Sequence, residues 1–254
     1  MTKPNGAILY RGPSLIDGKP IVVVATGLAN ASQNEKTGNL IQTWILLDFM
    51  APHHAVKTGD DVSVCGDCVH RPVNGGSCYV KTFQAPLSVY NGVARGIYPY
   101  ANDKVALAAL GAGKALRLGS YGDPAAVPLW VWEAFTSQAI KWTGYTHQWR
   151  KSDSALSSYC MASVDSEDEA SEAQSMGWRC FRVRASSEPV MAKEVVCPAS
   201  KEAGYKTDCI TCGACMGTSG KAKASIVIMA HGATARRFEL TRNGQAIAAQ
   251  AVAA

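Results

Sequence analysis

The stretch MASVDSEDEASEAQSMGWRCFRVR (residues 161–184) decides the fold. Residues 161–164 are apolar and short enough for a buried strand. Ser166 and Glu169 then stand at capping-box spacing, acidic residues crowd the first turn that follows, and Gly177 supplies a stop. A helix is predicted over 166–176 and a second strand over 178–184. Strand, helix and strand at this spacing imply two parallel strands joined by a right-handed crossover.

The same grammar extends in both directions. Strands are predicted at 115–119, 141–146, 192–196 and 225–230, which makes six from residue 115 onward. Between them, 127–140 reads as a helix with Pro128 in its first turn, where a missing N–H costs nothing. A short helix at 154–159 follows Asp153. Upstream, 8–10, 20–25 and 40–47 read as short strands separated by Gly, Pro and Asn. Residues 87–95 and 102–110 read as helices, the second capped by Asn102 or Asp103 and stopped by Gly111 and Gly113. The expected class is α/β, with a parallel sheet that forms a partial or complete (β/α) barrel; an open sheet fits the pattern equally well. Residues 1–100 are expected to carry N-terminal strands and a first cysteine loop, integrated with a β/α core at 101–242. The Ala- and Gln-rich tail at 243–254 reads as a weak helix or a frayed end.

Composition narrows the function classes. The chain has 254 residues, 47% of them hydrophobic and 18% charged, which suits a globular protein with a real core. Its net charge of +5 is spread along the chain without a dense basic block, so an anionic partner is tolerated and not demanded. The longest apolar runs, at 21–25 and 226–230, fall far short of the roughly 20 residues a membrane span needs. Pro4, Gly6, Arg11, Pro13 and Asp17 interrupt the start, unlike the apolar run of a signal peptide. A cytoplasmic location and no membrane partner are therefore expected.

Nine cysteines then need a reason, and in a reducing cell clustered cysteines serve metals or redox chemistry. Cys160 and Cys180 stand alone in apolar surroundings and read as small core residues. Cys209-x2-Cys212-x2-Cys215 has the three-ligand spacing of bacterial ferredoxin runs, and Cys197, at the end of a predicted strand, is the natural fourth ligand. An iron–sulfur cluster is expected there, with structural zinc as the alternative. Cys65-x2-Cys68-x9-Cys78 offers three more thiolates, with His70 as another fourth ligand. Three thiolates leave one iron of a cluster open, as substrate binding requires; a zinc staple for a Gly-rich loop is the competing reading. His53 and His54, read as strand neighbours, would point to opposite faces and could not share a metal.

In parallel α/β folds, ligands bind at the carboxyl ends of the strands. Those ends carry Ser120, Tyr121 and Asp123, then Thr146, His147 and Gln148, then Ser163 and Asp165, then Arg184, Cys197 and His231. Asp123, His147, Asp165 and His231 are candidates for proton transfer or substrate orientation, and Ser120, Tyr121 and Arg184 for cofactor binding. Turn formation accounts equally for Asp123, and capping for Asp165. The four tryptophans 130, 132, 142 and 178 read as packing residues.

Read in order, the Cys-x2-Cys…Cys-Tyr segment (65–79), Gly-Ser-Tyr-Gly-Asp (119–123), Gly-Tyr-Thr-His (144–147), Ala-Ser-Val-Asp (162–165) and Cys-Pro…Cys-x2-Cys-x2-Cys…His-Gly (197–232) resemble an uncharacterised phage and mobile-element family similar to the phage gene-product-88 group. The layout also resembles a radical SAM enzyme: a cysteine loop, a partial barrel, then an auxiliary cluster. That resemblance implies a cluster at Cys65, Cys68 and Cys78, with S-adenosylmethionine as a further cofactor, and a second cluster at Cys197, Cys209, Cys212 and Cys215. The spacings of two and nine differ from the three and two of that family, and no Gly-Gly-Glu-type motif is present. The expected function is that of a phage-type iron–sulfur protein with a radical-SAM-like layout, acting on a nucleotide, another small molecule or nucleic acid. The rival is a zinc-stabilised nucleic-acid-binding module whose Arg150, Lys151, Arg236 and Arg237 contact phosphate.

Overall fold

The structure, a computed structural model, describes residues 4–30 and 38–242. The tail at 243–254 lies outside the described residues. Strands β1 (Gly6–Pro13), β2 (Pro20–Thr26) and β3 (Ile41–Leu47) form an antiparallel meander. β3 then pairs in parallel with β4 (Ala115–Tyr121), so the sheet continues into the β/α part of the chain. β5 (Lys141–Thr146), β6 (Met161–Val164) and β7 (Cys180–Arg184) follow in chain order, all parallel. β8 (Glu194–Val196) and β9 (Ser225–Met229) exchange places, because β9 pairs with β7 and leaves β8 at the edge.

The result is one mixed, mostly parallel sheet of nine strands, open at β1 and β8. The α/β class expected from the sequence is what the chain adopts, as an open sheet in place of a complete barrel. Right-handed crossovers that always step to the same side put their helices on one face. Helices α1 (Pro52–Thr58), α2 (Val62–Cys65), α3 (Ala85–Ala94) and α4 (Lys104–Gly111) lie between β3 and β4. They are followed by α5 (Leu129–Thr136) and α6 (Glu167–Ser175). Leu116, Leu118, Trp132, Phe135, Cys160, Ala162 and Cys180 share one apolar core with them. Adjacent strand residues point the other way. Met161, Phe181, Ile226 and Ile228 accordingly join Tyr145, Cys197 and Cys215 in a separate cluster.

Local chemistry explains the boundaries. At α6 the Ser166 hydroxyl accepts the Glu169 N–H at 3.1 Å, while the Glu169 carboxylate accepts the Asp165 N–H at 2.7 Å. The helix predicted over 127–140 is shorter. Pro128 caps it, and near its end the Thr136 hydroxyl takes the Trp132 carbonyl and Ser137 takes that of Ala134, in competition with the helical ladder. The segment after Asp153 is a 3-10 turn, Ser154–Ser158. His53 and His54 lie on α1, opened by Pro52, and not on a strand; their rings are 4.2 Å apart. Among the described residues, no helix is long and apolar enough to cross a membrane.

Candidate metal centres and the cleft beside them

The segment holding Cys65, Cys68 and Cys78 follows β3, the first strand of the parallel array. Its shape is set by Arg71, whose buried guanidinium grips Asp61 at 2.6 and 3.1 Å and donates to the carbonyls of Gly59 and Gly66. Gly76 passes so close to His70 that a Cβ there would lie 2.3 Å from the His70 carbonyl carbon. The Cys78 N–H donates to the His70 carbonyl at 2.9 Å, which closes the loop. Three bonds then fasten the segment to the carboxyl ends of the strands. The Asp123 N–H donates to the Val64 carbonyl at 2.6 Å, while Gln148 and Lys151 donate to the Asp67 carboxylate at 2.7 and 2.6 Å.

Within this segment the three sulfurs lie close enough for their charges to interact. Burial pushes the Cys65 thiol well up, with Asp61, Cys68 and Cys78 adding to the effect, and it pushes Cys68 up to about 12. Two backbone N–H groups work in the opposite sense, from His70 to Cys68 and from Val80 to Cys78, each two residues past its cysteine. Donors aimed at sulfur favour thiolate over thiol, and a bound cation would supply the rest. The Tyr121 hydroxyl, near Cys65 and Cys78, is buried with no hydrogen-bond partner among the described residues. It is a spare donor for a thiolate or a sulfide.

The second cysteine group sits on the opposite face of the sheet from the helices. Cys197 follows β8, and Cys209–Cys212 forms α7, capped by Asp208 and closed by Gly213 at φ 60°. Lys141 donates to the Ile210 and Thr211 carbonyls at 2.7 and 3.0 Å. Arg179 holds the Ala214 and Gly217 carbonyls at 2.8 Å each. Burial pushes Cys215 up to about 12, opposed by a hydrogen bond with Tyr145 and reinforced by Cys197, Cys209 and Cys212 around it. The four cysteines therefore converge. A tetrahedral zinc site needs sulfurs roughly 3.8 Å apart, from bonds of about 2.3 Å. Among the described residues, no three cysteine sulfurs lie within 4.8 Å of one another. A cubane spreads its thiolates wider, because each binds a different iron. The donor set of both groups, thiolates alone, is the kind such a cluster takes.

At the carboxyl ends of β4, β5 and β6 stand Asp123, His147 and Asp165. Asp123 is buried and accepts N–H groups from Ala125 at 2.9 Å and His147 at 2.8 Å. Burial raises its pKa, against the hydrogen bonds it receives from Thr146, Ala125 and His147. His147 is lowered by burial, against the pull of Asp165 and Asp123. Burial alone would raise Asp165, but a hydrogen bond from His70 and the charges of His70, His147 and Arg242 bring it below its ordinary value. His70 reaches over from the cysteine segment, its Nε2 3.0 Å from Asp165 Oδ1 and its ring 5.5 Å from that of His147. A cleft of about 180 Å³ opens here, lined by Cys68, His147, Ser163, Asp165, Arg150 and Glu169.

The remaining sequence candidates lie apart from this group. Ser120 donates to Gln42 at 2.6 Å. Arg184 binds Glu202 and the carbonyls of Ala185 and Glu188, tying β7 to the loops after it. His231 is exposed, its Nδ1 3.0 Å from the Met229 carbonyl. Cys160 and Cys180 are fully buried in the core. Sequence reading saw His70 only as a spare cysteine-group ligand, and it missed Arg71, Tyr145 and Arg242. His70 had one signal, its place two residues after Cys68, and Tyr145 stood in the quoted Gly-Tyr-Thr-His motif; Arg71 and Arg242 had none. No family model, curated protein or solved structure matches the chain.

Proposed function

We propose that the chain is an iron–sulfur protein with two cysteine-held clusters of the four-iron class on a radical-SAM-like half-barrel, acting on a nucleotide or nucleic acid. The observation that carries the reading is the gathering of seven cysteines into two separate sets, three at the strand ends and four on the opposite face. N–H and O–H donors are aimed at sulfur in each set. Four thiolates would close the second centre, which suits electron transfer or structure. Three would leave the first centre open toward the cleft, beside Asp123, His147 and Asp165, groups suited to orient substrate or move protons. The first cysteine segment precedes β4 to β9 and the second group comes late in the chain, the order in which the resemblance to a radical SAM enzyme sets a cysteine loop, a partial barrel and an auxiliary cluster. Cysteines gathered into clusters suit the reducing cytoplasm of a host cell.

The zinc-module alternative has less support. Arg150 is held by Glu172 and Glu169, and Lys151 by Asp67, so neither charge is unpaired for phosphate. Anaerobic purification followed by visible absorption and by iron, sulfide and zinc analysis tests the proposal. A brown protein with iron and sulfide in equal amounts supports it. A colourless protein with stoichiometric zinc and no iron sinks it. On the iron form, titration with S-adenosylmethionine, read by the electron paramagnetic resonance of the reduced cluster, decides whether that cofactor binds.

A further inference from the structure

We propose that His70, His147 and Asp165 form a separate mononuclear site for a divalent transition-metal ion, distinct from both cysteine groups. One ligand atom from each of the three residues lies within 4.8 Å of the other two. Two imidazoles and one carboxylate are the donors of an iron(II), cobalt(II) or zinc(II) site, and three protein ligands leave positions open for water or substrate. The ligands come from three separate pieces of chain: the cysteine segment, the end of β5 and the end of β6. The 180 Å³ cleft opens directly onto two of them, His147 and Asp165.

The spacing fits an ion as well as it fits a hydrogen bond. Bonds of about 2.1 Å at right angles put neighbouring ligand atoms about 3.0 Å apart. His70 Nε2 and Asp165 Oδ1 are 3.0 Å apart. Two of the three ligands also have a side-chain partner of the kind that orients metal ligands. Ser77 Oγ lies 3.0 Å from His70 Nδ1, on the side of the ring away from Asp165, so Nε2 is the nitrogen left for the ion. Arg242 holds Asp165 Oδ1 at 3.1 Å, and Asp123 anchors the backbone N–H of His147 at 2.8 Å. A His–Asp–Arg network alone would use His70, Asp165 and Arg242; it gives no role to the second imidazole.

Cobalt(II), added anaerobically to the full-length purified protein, is the probe. The expected result is one equivalent bound with weak visible d–d bands, distinct from any thiolate-to-cobalt charge transfer. His147→Ala and Asp165→Asn should abolish that spectrum. Ser77→Ala, which leaves all three ligands, should weaken binding about 10-fold. Cys212→Ser should leave the spectrum intact. Cobalt bound only with thiolate charge-transfer bands, bound equally by His147→Ala, or not bound at all overturns the proposal. Thiolate bands report the cysteine groups separately, so this outcome is independent of whether those groups hold iron.

Discussion

His70 and Asp165 meet at 3.0 Å, ring nitrogen to carboxylate, although 95 residues separate them in the chain. That contact closes the cysteine segment down over the end of β6. It complements the Asp123–Val64 and Gln148–Asp67 bonds, which pin the same segment over β4 and β5. The three-cysteine group is thus positioned by strand ends as well as by its own loop, and this makes its geometry sensitive to single changes.

Gly76 is the sharpest of these. A methyl group at this position would collide with the His70 backbone, which has no flexible end to swing aside. Gly76→Ala should therefore displace Cys78 and His70 together and empty the first centre while leaving the second. Under the two-cluster reading, bound iron and the visible absorbance should fall by about half, as judged by metal analysis of the anaerobic protein. Cys209→Ser should produce the complementary loss from the second centre. Iron retained in full by Gly76→Ala would count against the first centre.

The second centre offers a test of electronic tuning. The Tyr145 hydroxyl is hydrogen-bonded to Cys215, on the face of the sheet away from the helices. Hydrogen bonds to cluster sulfurs stabilise the more negative, reduced state. Tyr145→Phe removes one such bond while keeping the ring that packs 4.5 Å from Phe181. Under the two-cluster reading, a shift of the second centre to more negative potential is expected in a potentiometric titration, with iron content unchanged. An unchanged potential would show that the bond is not made to a cluster ligand.

Which of these relationships could be read in the sequence follows from how far each depends on the path of the loops. Helix α6 was legible because Ser166, Glu169 and Gly177 act within a single turn of chain at each end. Asp123, His147 and Asp165 were legible because strand ends in a parallel array converge, whatever the loops do. The pairing of His70 with Asp165, and of Arg242 with Asp165 across 77 residues, depends on where long connections return, and no local pattern encodes that. The exchange of β8 and β9 falls between these cases. The buried run Ile226–Val227–Ile228 is the pattern of an interior strand, whereas Val195 is half exposed, as an edge strand allows. Helix 127–140 was overextended because hydrophobic spacing does not register hydroxyls that take the helix's own carbonyls.

The edge strand is held by an ion pair. Arg182 donates to both carboxylate oxygens of Glu194 at 2.8 and 2.7 Å, and the two side chains are only 4% and 3% exposed. Arg182→Met should cost about 3–5 kcal/mol, most of it from leaving a buried carboxylate without its partner. Adding Glu194→Leu should recover much of the loss, short of the bond Glu194 also accepts from the Met191 N–H. Urea unfolding of the two single variants and the double variant measures the coupling.

A surface pair gives the pH dependence. Arg150 stacks 4.0 Å above the Trp149 ring and grips the Glu172 carboxylate at 2.7–3.1 Å, joining the loop after β5 to α6. That hydrogen bond, opposed by slight desolvation and helped by the charge of Arg150, holds Glu172 below its ordinary value of 4.5. The folded state therefore favours the ionised carboxylate. Its contribution to stability is complete above about pH 4.5 and is lost as pH falls through the lower, folded value. Glu172 is exposed, so solvent screens the pair and the effect is small. In Glu172→Gln the group no longer titrates. Urea midpoints measured from pH 7 to pH 3 should fall less steeply on the acid side for the variant than for the native chain. Parallel curves would mean that the Arg150 grip adds nothing in solution.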